Sequence, residues 1–168
     1  MDYGSGYGTG AQFLGFFVVL YAVVVGFSLL LAVAVYIVNG IAFMRLFRKV
    51  GVEPWAAWVP VFFSWRLLEL GGQPGWLSIL SVVPGANYVT AVFLGISSYK
   101  VSVAFRKDGV WVVLYLFLPF VWAFLLASER EHYEPEIMRL RGWAPPLVGY
   151  GSARGPYVPG AQAPPAAG

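Results

Sequence analysis

Arg66 and Glu69 stand three residues apart among leucines and tryptophans, in the run "WRLLELGGQPGW" that covers residues 65–76. A guanidinium and a carboxylate at this spacing share one helical face and can pair. Inside a bilayer such a pair would mark a substrate or ion path, because an unpaired central charge costs about 2.5–3.5 kcal/mol on insertion scales. At the bilayer edge it would anchor a helix, the arginine stem lying along apolar surface while its head reaches water. Counted from Pro54, Arg66 lies about 18 Å and Glu69 about 22 Å along a helix. Both then fall in the far half of a core about 30 Å thick, next to a Gly-Gly turn, which favours the anchor.

Asn87 completes the candidate intramembrane polar site with Arg66 and Glu69. It follows Pro84-Gly85 in an apolar run, where its amide needs a partner on a neighbouring helix or in a binding site at a broken helix. Pro60, Pro84 and Pro119 each remove a backbone donor inside a hydrophobic segment and are expected to kink or break it. His132 is the only histidine and there is no cysteine. No metal site and no cofactor are therefore expected. Lys49, Lys100 and Lys107 are the only lysines, all at expected helix ends. Nothing in their placement brings a serine within reach of a lysine, so no enzymatic activity is expected.

The elements that must position these residues are hydrophobic. The chain is 59% hydrophobic and 11% charged, with a mean hydropathy of +0.70. That is too apolar for an ordinary soluble domain of this size. The net charge of +3 is small and dispersed, which argues against nucleic acid as a partner. An all-α integral membrane bundle is expected, with four hydrophobic segments over about 13–38, 54–70, 76–103 and 110–127. The first is too long for a signal-peptide core and lacks a basic flank, so it reads as a retained anchor. Trp55, Trp58, Phe62, Trp65 and Glu69 recur every three or four residues along the second, and Trp55, Trp58, Trp76 and Trp111 suit an interfacial aromatic belt. Ala22/Gly26 and Ala91/Gly95 are small-residue pairs suited to close helix packing. Outside residues 13–128, residues 1–12 are expected to be flexible and 129–143 to form a polar juxtamembrane segment opened by a Ser128/Glu131 capping box. Residues 144–168, rich in Pro, Gly and Ala, are expected to be disordered.

Orientation turns on Lys and Arg. Arg45, Arg48 and Lys49 follow the first span, while residues 1–38 have neither residue type. The bias puts residues 45–53 in the cytoplasm and the N-terminus outside, in a multi-pass protein of the cell membrane. With four spans the tally is six basic residues inside against five outside. If 54–70 is re-entrant the tally becomes eight against three. The length of 54–70 and the tight "GGQPG" turn favour four spans, with 54–70 as the one segment that could re-enter.

Four stretches carry a resemblance: "GVEPWAAWVPVFFSWRLLELGGQPGW", "LSVVPGANYV", "AFRKDG" and "LYLFLPFVWAFLLA". Over residues 51–127 the chain resembles a family of small bacterial membrane proteins filed as a domain of unknown function. That family shows a Gly-x-Pro-Gly-Trp turn, matched by Gly72–Trp76, and an Ile/Val-Pro-x-x-Asn break, matched by Val83–Asn87. Its Ile-Pro-x-Tyr-Asn motif is not matched, because Phe62, Phe63 and Ser64 stand in the corresponding stretch. The module is similar to a segment joined to type I signal peptidases in some bacteria. The Ser/Lys dyad that this would imply has no counterpart here.

The function expected is therefore that of a non-enzymatic scaffold or accessory subunit of an envelope or secretion-related complex. Its partners would be the lipid bilayer and a membrane protein or a second copy of itself. The alternative is a small-solute transporter or channel subunit using Arg66, Glu69 and Asn87.

Overall fold

The computed structural model describes residues 6–159, which are helical with no strand among them. The chain divides into two units, Met1–Val38 and Asn39–Gly168. The first is helical from Gly6 onward, so residues 6–12 of the segment expected to be flexible belong to helix α1 (Gly6–Val50), while residues 1–5 lie outside the described residues. Its side chains from Gln12 to Val38 are exposed throughout. The residues of its small pair meet no packing partner, and a Cβ at Gly26 would find nothing within 4 Å. Among the described residues one helix, over Gln12–Val50, is long and apolar enough to cross a membrane.

In the second unit the other three hydrophobic segments are each broken at a proline. Segment 54–70 is a 3-10 helix, Pro54–Trp58, followed by α2, Pro60–Leu70, with Val59 extended between them. Pro60 opens α2 instead of kinking it, since a first-turn position needs no N–H donor. Segment 76–103 becomes a 3-10 helix, Gly75–Val82, and α3, Asn87–Ala104, separated by the turn at Pro84-Gly85. Segment 110–127 becomes α4, Val110–Phe117, and α5, Pro119–Ala127, with the break at Leu118. At about 1.5 Å per residue, α2, α4 and α5 are each about 12–17 Å long, roughly half of a 30 Å core. These segments therefore give no support among the described residues for four spanning helices.

The core of this unit gathers the end of α1 (Phe43, Leu46, Phe47, Val50) with Leu67, Val101, Phe105, Trp122 and Leu126, all at 2% exposure or less. Phe43 is the hub of its aromatic contacts, 4.5 Å from the Phe63 ring and 6.0 Å from that of Trp122. Buried small hydroxyls supply the polar joints. Ser102 donates to the Ser98 carbonyl at 2.7 Å and accepts from Trp122 Nε1 at 2.9 Å, while Thr90 donates to the Leu77 carbonyl at 2.7 Å. These serines and Thr90 do the close packing expected of Ala91/Gly95: a Cβ at Gly95 would meet nothing within 4 Å, whereas one at Gly71 would lie 2.5 Å from Ser97 Cα.

Helix ends follow one device. The N–H of Val52 reaches the Phe47 carbonyl at 2.8 Å, and that of Gln73 the Leu68 carbonyl at 2.9 Å. Each closes its helix over a left-handed glycine, Gly51 or Gly72, which has no Cβ to clash. Helix α3 ends the same way, Lys107 N–H to the Ser102 carbonyl at 2.9 Å, but over Arg106 at φ 58°.

Two expectations beyond residue 128 are corrected. Ser128 closes α5, its N–H donating to the Leu125 carbonyl at 3.2 Å, and opens no helix; the next helix, α6, spans Glu136–Leu140 after Pro135. The Glu131 carboxylate goes to Lys107 at 2.7 Å. Residues 144–159, expected to be disordered, are hydrogen-bonded to the unit: Leu147 N–H donates to the Glu69 carbonyl at 2.8 Å and Tyr150 N–H to that of Val50 at 2.9 Å. Val148 is buried. A Pro/Gly-rich composition withholds helix and strand, but it does not prevent docking onto backbone acceptors that helix ends leave free. Residues 160–168 lie outside the described residues.

Candidate functional site

Four charges of alternating sign form a chain through the second unit. Arg66 sits on α2, whose apolar neighbours Leu67, Leu68 and Leu70 are buried. Its Nη1 donates to Glu69 Oε2 at 2.7 Å and its Nη2 to Glu53 Oε1 at 3.0 Å. Glu69 Oε1 in turn accepts from Arg154 Nη1 at 3.2 Å. Burial grades along the chain: the side chains of Glu69, Arg66, Glu53 and Arg154 are 6, 19, 24 and 66% exposed. Arg66 Nε is buried with no partner among the described residues.

This geometry has a chemical consequence. Both Glu69 oxygens are engaged by guanidinium groups, which never release a proton in the usual pH range. A carboxylate held so is poorly placed to take a passing cation. It is well suited to holding α2, the residue before Pro54 and the C-terminal segment together, since charge-assisted bonds to a buried acceptor are costly to break.

Asn87 is not part of this chain. It is exposed at the first position of α3 and makes no side-chain hydrogen bond among the described residues. The structure brings Arg66 and Glu69 together and leaves Asn87 apart. Of the helix breaks, Pro60 and Pro119 begin helices and Pro84 stands in a turn. Glu53 and Arg154 carried no expectation of a site role. Glu53 precedes Pro54 at an expected helix start, and Arg154 lies 85 residues from its partner Glu69. No local pattern links such positions.

A second set of charges ties the end of α3 to the segment after α5. Arg106 donates to Glu134 Oε2 from both Nε and Nη2, at 3.0 and 2.8 Å. Lys107 pairs with Glu131 and lies 5.0 Å from the Trp111 ring centre. The N–H of Glu134 donates to the Ala104 carbonyl at 2.8 Å. Lys49 Nζ donates to the carbonyls of Leu126 and Ser128 and lies 5.4 Å from the Phe105 ring centre. No lysine bonds a serine hydroxyl among the described residues. His132 is exposed, and no three His, Cys, Asp or Glu gather among the described residues to hold a metal ion. Tyr133 has its hydroxyl buried without a partner among the described residues, and burial raises its pKa above the ordinary phenol value.

No curated protein and no solved structure matches the chain. Residues 55–135, which run from the first 3-10 helix to the residue before α6 and include Arg66, Glu69, Asn87 and the Arg106–Glu134 pair, match the model of a family of unknown function, DUF5684.

Proposed function

We propose that this chain is a non-enzymatic integral membrane protein, a scaffold or accessory subunit of an envelope or secretion-related complex. The observation that carries the reading is the uneven surface of the second unit. Ile79, Val82, Val92, Val110, Leu116 and Phe117 are exposed at 53–74% and lie in the two stretches 70–99 and 109–128, neither of which contains a charged residue. Glu53, Arg66, Glu69, Arg106, Lys107, Glu131, Glu134 and Arg154, by contrast, are collected into ion pairs with one another. Exposed apolar surface on this scale fits lipid or another membrane protein better than water. The secretion part of the proposal rests on the resemblance to a module joined to signal peptidases.

The same contacts favour a particular topology over four spans. A helix that crosses a core of about 30 Å cannot have its two ends ion-paired, yet Glu53 and Arg66 are 3.0 Å apart. Lys49 meets Ser128, Ala104 meets Glu134, and Val50 meets Tyr150. The loops between the hydrophobic segments thus collect beside the end of α1. In this reading residues 13–38 cross the membrane, and 54–70, 75–104 and 110–127 enter and return on the side of residues 45–53. All 11 Lys and Arg then stand on the cytoplasmic side and none in residues 1–38, which satisfies the positive-inside bias far better than six against five.

The role is tested by placing a photo-crosslinking amino acid at Val92 and at Leu116 in living cells. A scaffold gives a discrete adduct with one membrane protein or with a second copy of the chain, and that partner falls in abundance when the chain is deleted. Discrete adducts at neither position, together with unchanged membrane complexes after deletion, would remove the scaffold reading.

A further inference from the structure

Arg45, Arg48 and Lys49, on the last turns of α1, face Phe124, Ser128 and Glu129 across an open cavity of about 580 Å³. Its volume lies within the range of about 300–1,000 Å³ typical of small-ligand sites. The charges on its wall are unbalanced. Arg66, Arg106, Lys107, Arg139 and Arg154 each hold a carboxylate within 4.0 Å. Among the described residues neither Arg45 nor Arg48 does. Lys49 spends its N–H donors on two carbonyls, but its charge remains on the cavity wall. Glu129 is the only carboxylate of the lining, and nearby Glu131 is taken by Lys107.

Cations in the last turn of a helix are favoured by its dipole whatever else they do. That accounts for Arg48 and Lys49. It does not account for Arg45, five residues before the helix end, or for a cavity in front of it. Arg45 lies over the Phe124 ring, 5.6 Å from its centre, and its guanidinium makes no hydrogen bond or ion pair among the described residues. A planar fork so fixed suits a tetrahedral oxyanion, to which two parallel N–H groups donate.

We propose that this cavity binds a phosphate group of an anionic headgroup, with Arg45 and Arg48 as its two forks and Lys49 adding charge at the wall. The phosphate has two sources of the same chemistry, an anionic phospholipid or a soluble phosphate ester. Only the first depends on the chain being membrane-bound.

The test uses the full chain purified in an uncharged detergent, with thermal unfolding followed as three probes are titrated. These are phosphatidylglycerol, phosphatidylcholine with the same acyl chains, and glycerol phosphate. Phosphatidylglycerol is expected to stabilise the protein where phosphatidylcholine does not, and its affinity to fall roughly fivefold for each of Arg45→Gln and Arg48→Gln. Arg141→Gln, at an exposed residue outside the cavity lining, should leave it unchanged. Competition by glycerol phosphate assigns the cavity to soluble esters; stabilisation by the intact lipid alone assigns it to the headgroup at the bilayer. Equal responses to the two lipids, with no response to glycerol phosphate, would overturn the site, as would a phosphatidylglycerol affinity untouched by both substitutions. Should Arg45→Gln not fold, Arg48→Gln alone decides between the same outcomes, because that side chain is exposed and makes no hydrogen bond or ion pair among the described residues.

Discussion

Glu69 shows how one residue can hold three parts of a chain. Its oxygens bind Arg66 and Arg154, and its carbonyl accepts from Leu147. Glu69→Gln removes the buried charge that two guanidinium groups face. A loss of about 3 kcal/mol is expected, in line with breaking a buried pair from one side. Arg154→Gln leaves the Arg66–Glu69 pair intact and removes a side chain that is 66% exposed. Less than about 1 kcal/mol is expected there. Chemical unfolding of the two variants in detergent checks the contrast, and equal losses would show that the chain of charges is not graded by burial. Arg66 and Glu69 were legible in the sequence as a pair because a spacing of three on a helix is local information. Their outer partners were not, because Glu53 and Arg154 reach them only through the fold.

At the scale of elements, prolines and glycines decide where helices stop, and close contact decides how the pieces sit. Pro60, Pro84 and Pro119 are visible in the sequence as breaks, and each stands at a break in the structure. What composition hid is that breaking these apolar runs leaves α2, α4 and α5 each about half as long as a bilayer core is thick. The turn after α2 shows the packing side. Gly71 is needed for space, since its backbone is in an ordinary conformation at φ −80°. A Cβ there would lie 2.5 Å from the Ser97 Cα. Gly71→Ala should therefore cost about 1–3 kcal/mol by forcing α2 and α3 apart. The loss should shrink when Ser97→Gly is added, because that variant removes the Ser97 Cβ and Oγ, which crowd the same point at 2.5 Å. Unfolding measured on both variants decides it, and a loss unaffected by Ser97→Gly would place the strain elsewhere.

At the scale of the molecule the question is which loops share a side of the membrane. Single cysteines at Gln73, Asp108 and Ser152, in a chain that has none of its own, would be probed in intact cells with a membrane-impermeant thiol reagent. Ser5→Cys is the positive control for the outer side. The contacts of Glu53, Ala104 and Val50 lead to the expectation that all three positions are protected while residue 5 is labelled. Labelling at Gln73 and Ser152 would restore four spans, and labelling at Asp108 alone would restore three. Either pattern requires Glu53 and Arg66, or Ala104 and Glu134, to part by much of a bilayer thickness. The same experiment would then report that the second unit rearranges on entering lipid.

By itself the sequence determined the apolar character of the chain, including one run long enough to cross a membrane. Long apolar runs, few charges and no cysteine are sums over the chain, and they constrain the environment without reference to any fold. It also marked the helix breaks, the Gly-terminated ends and the local Arg66–Glu69 pair, each of which acts within a few residues. Only the tertiary structure decided that segment 54–70 folds back onto Glu53, that the Pro/Gly-rich residues 144–159 dock, and that Asn87 stands apart from the charged pair. Each of these depends on contacts between residues distant in the chain. Their energies come from burial and geometric fit, which spacing along a sequence does not record.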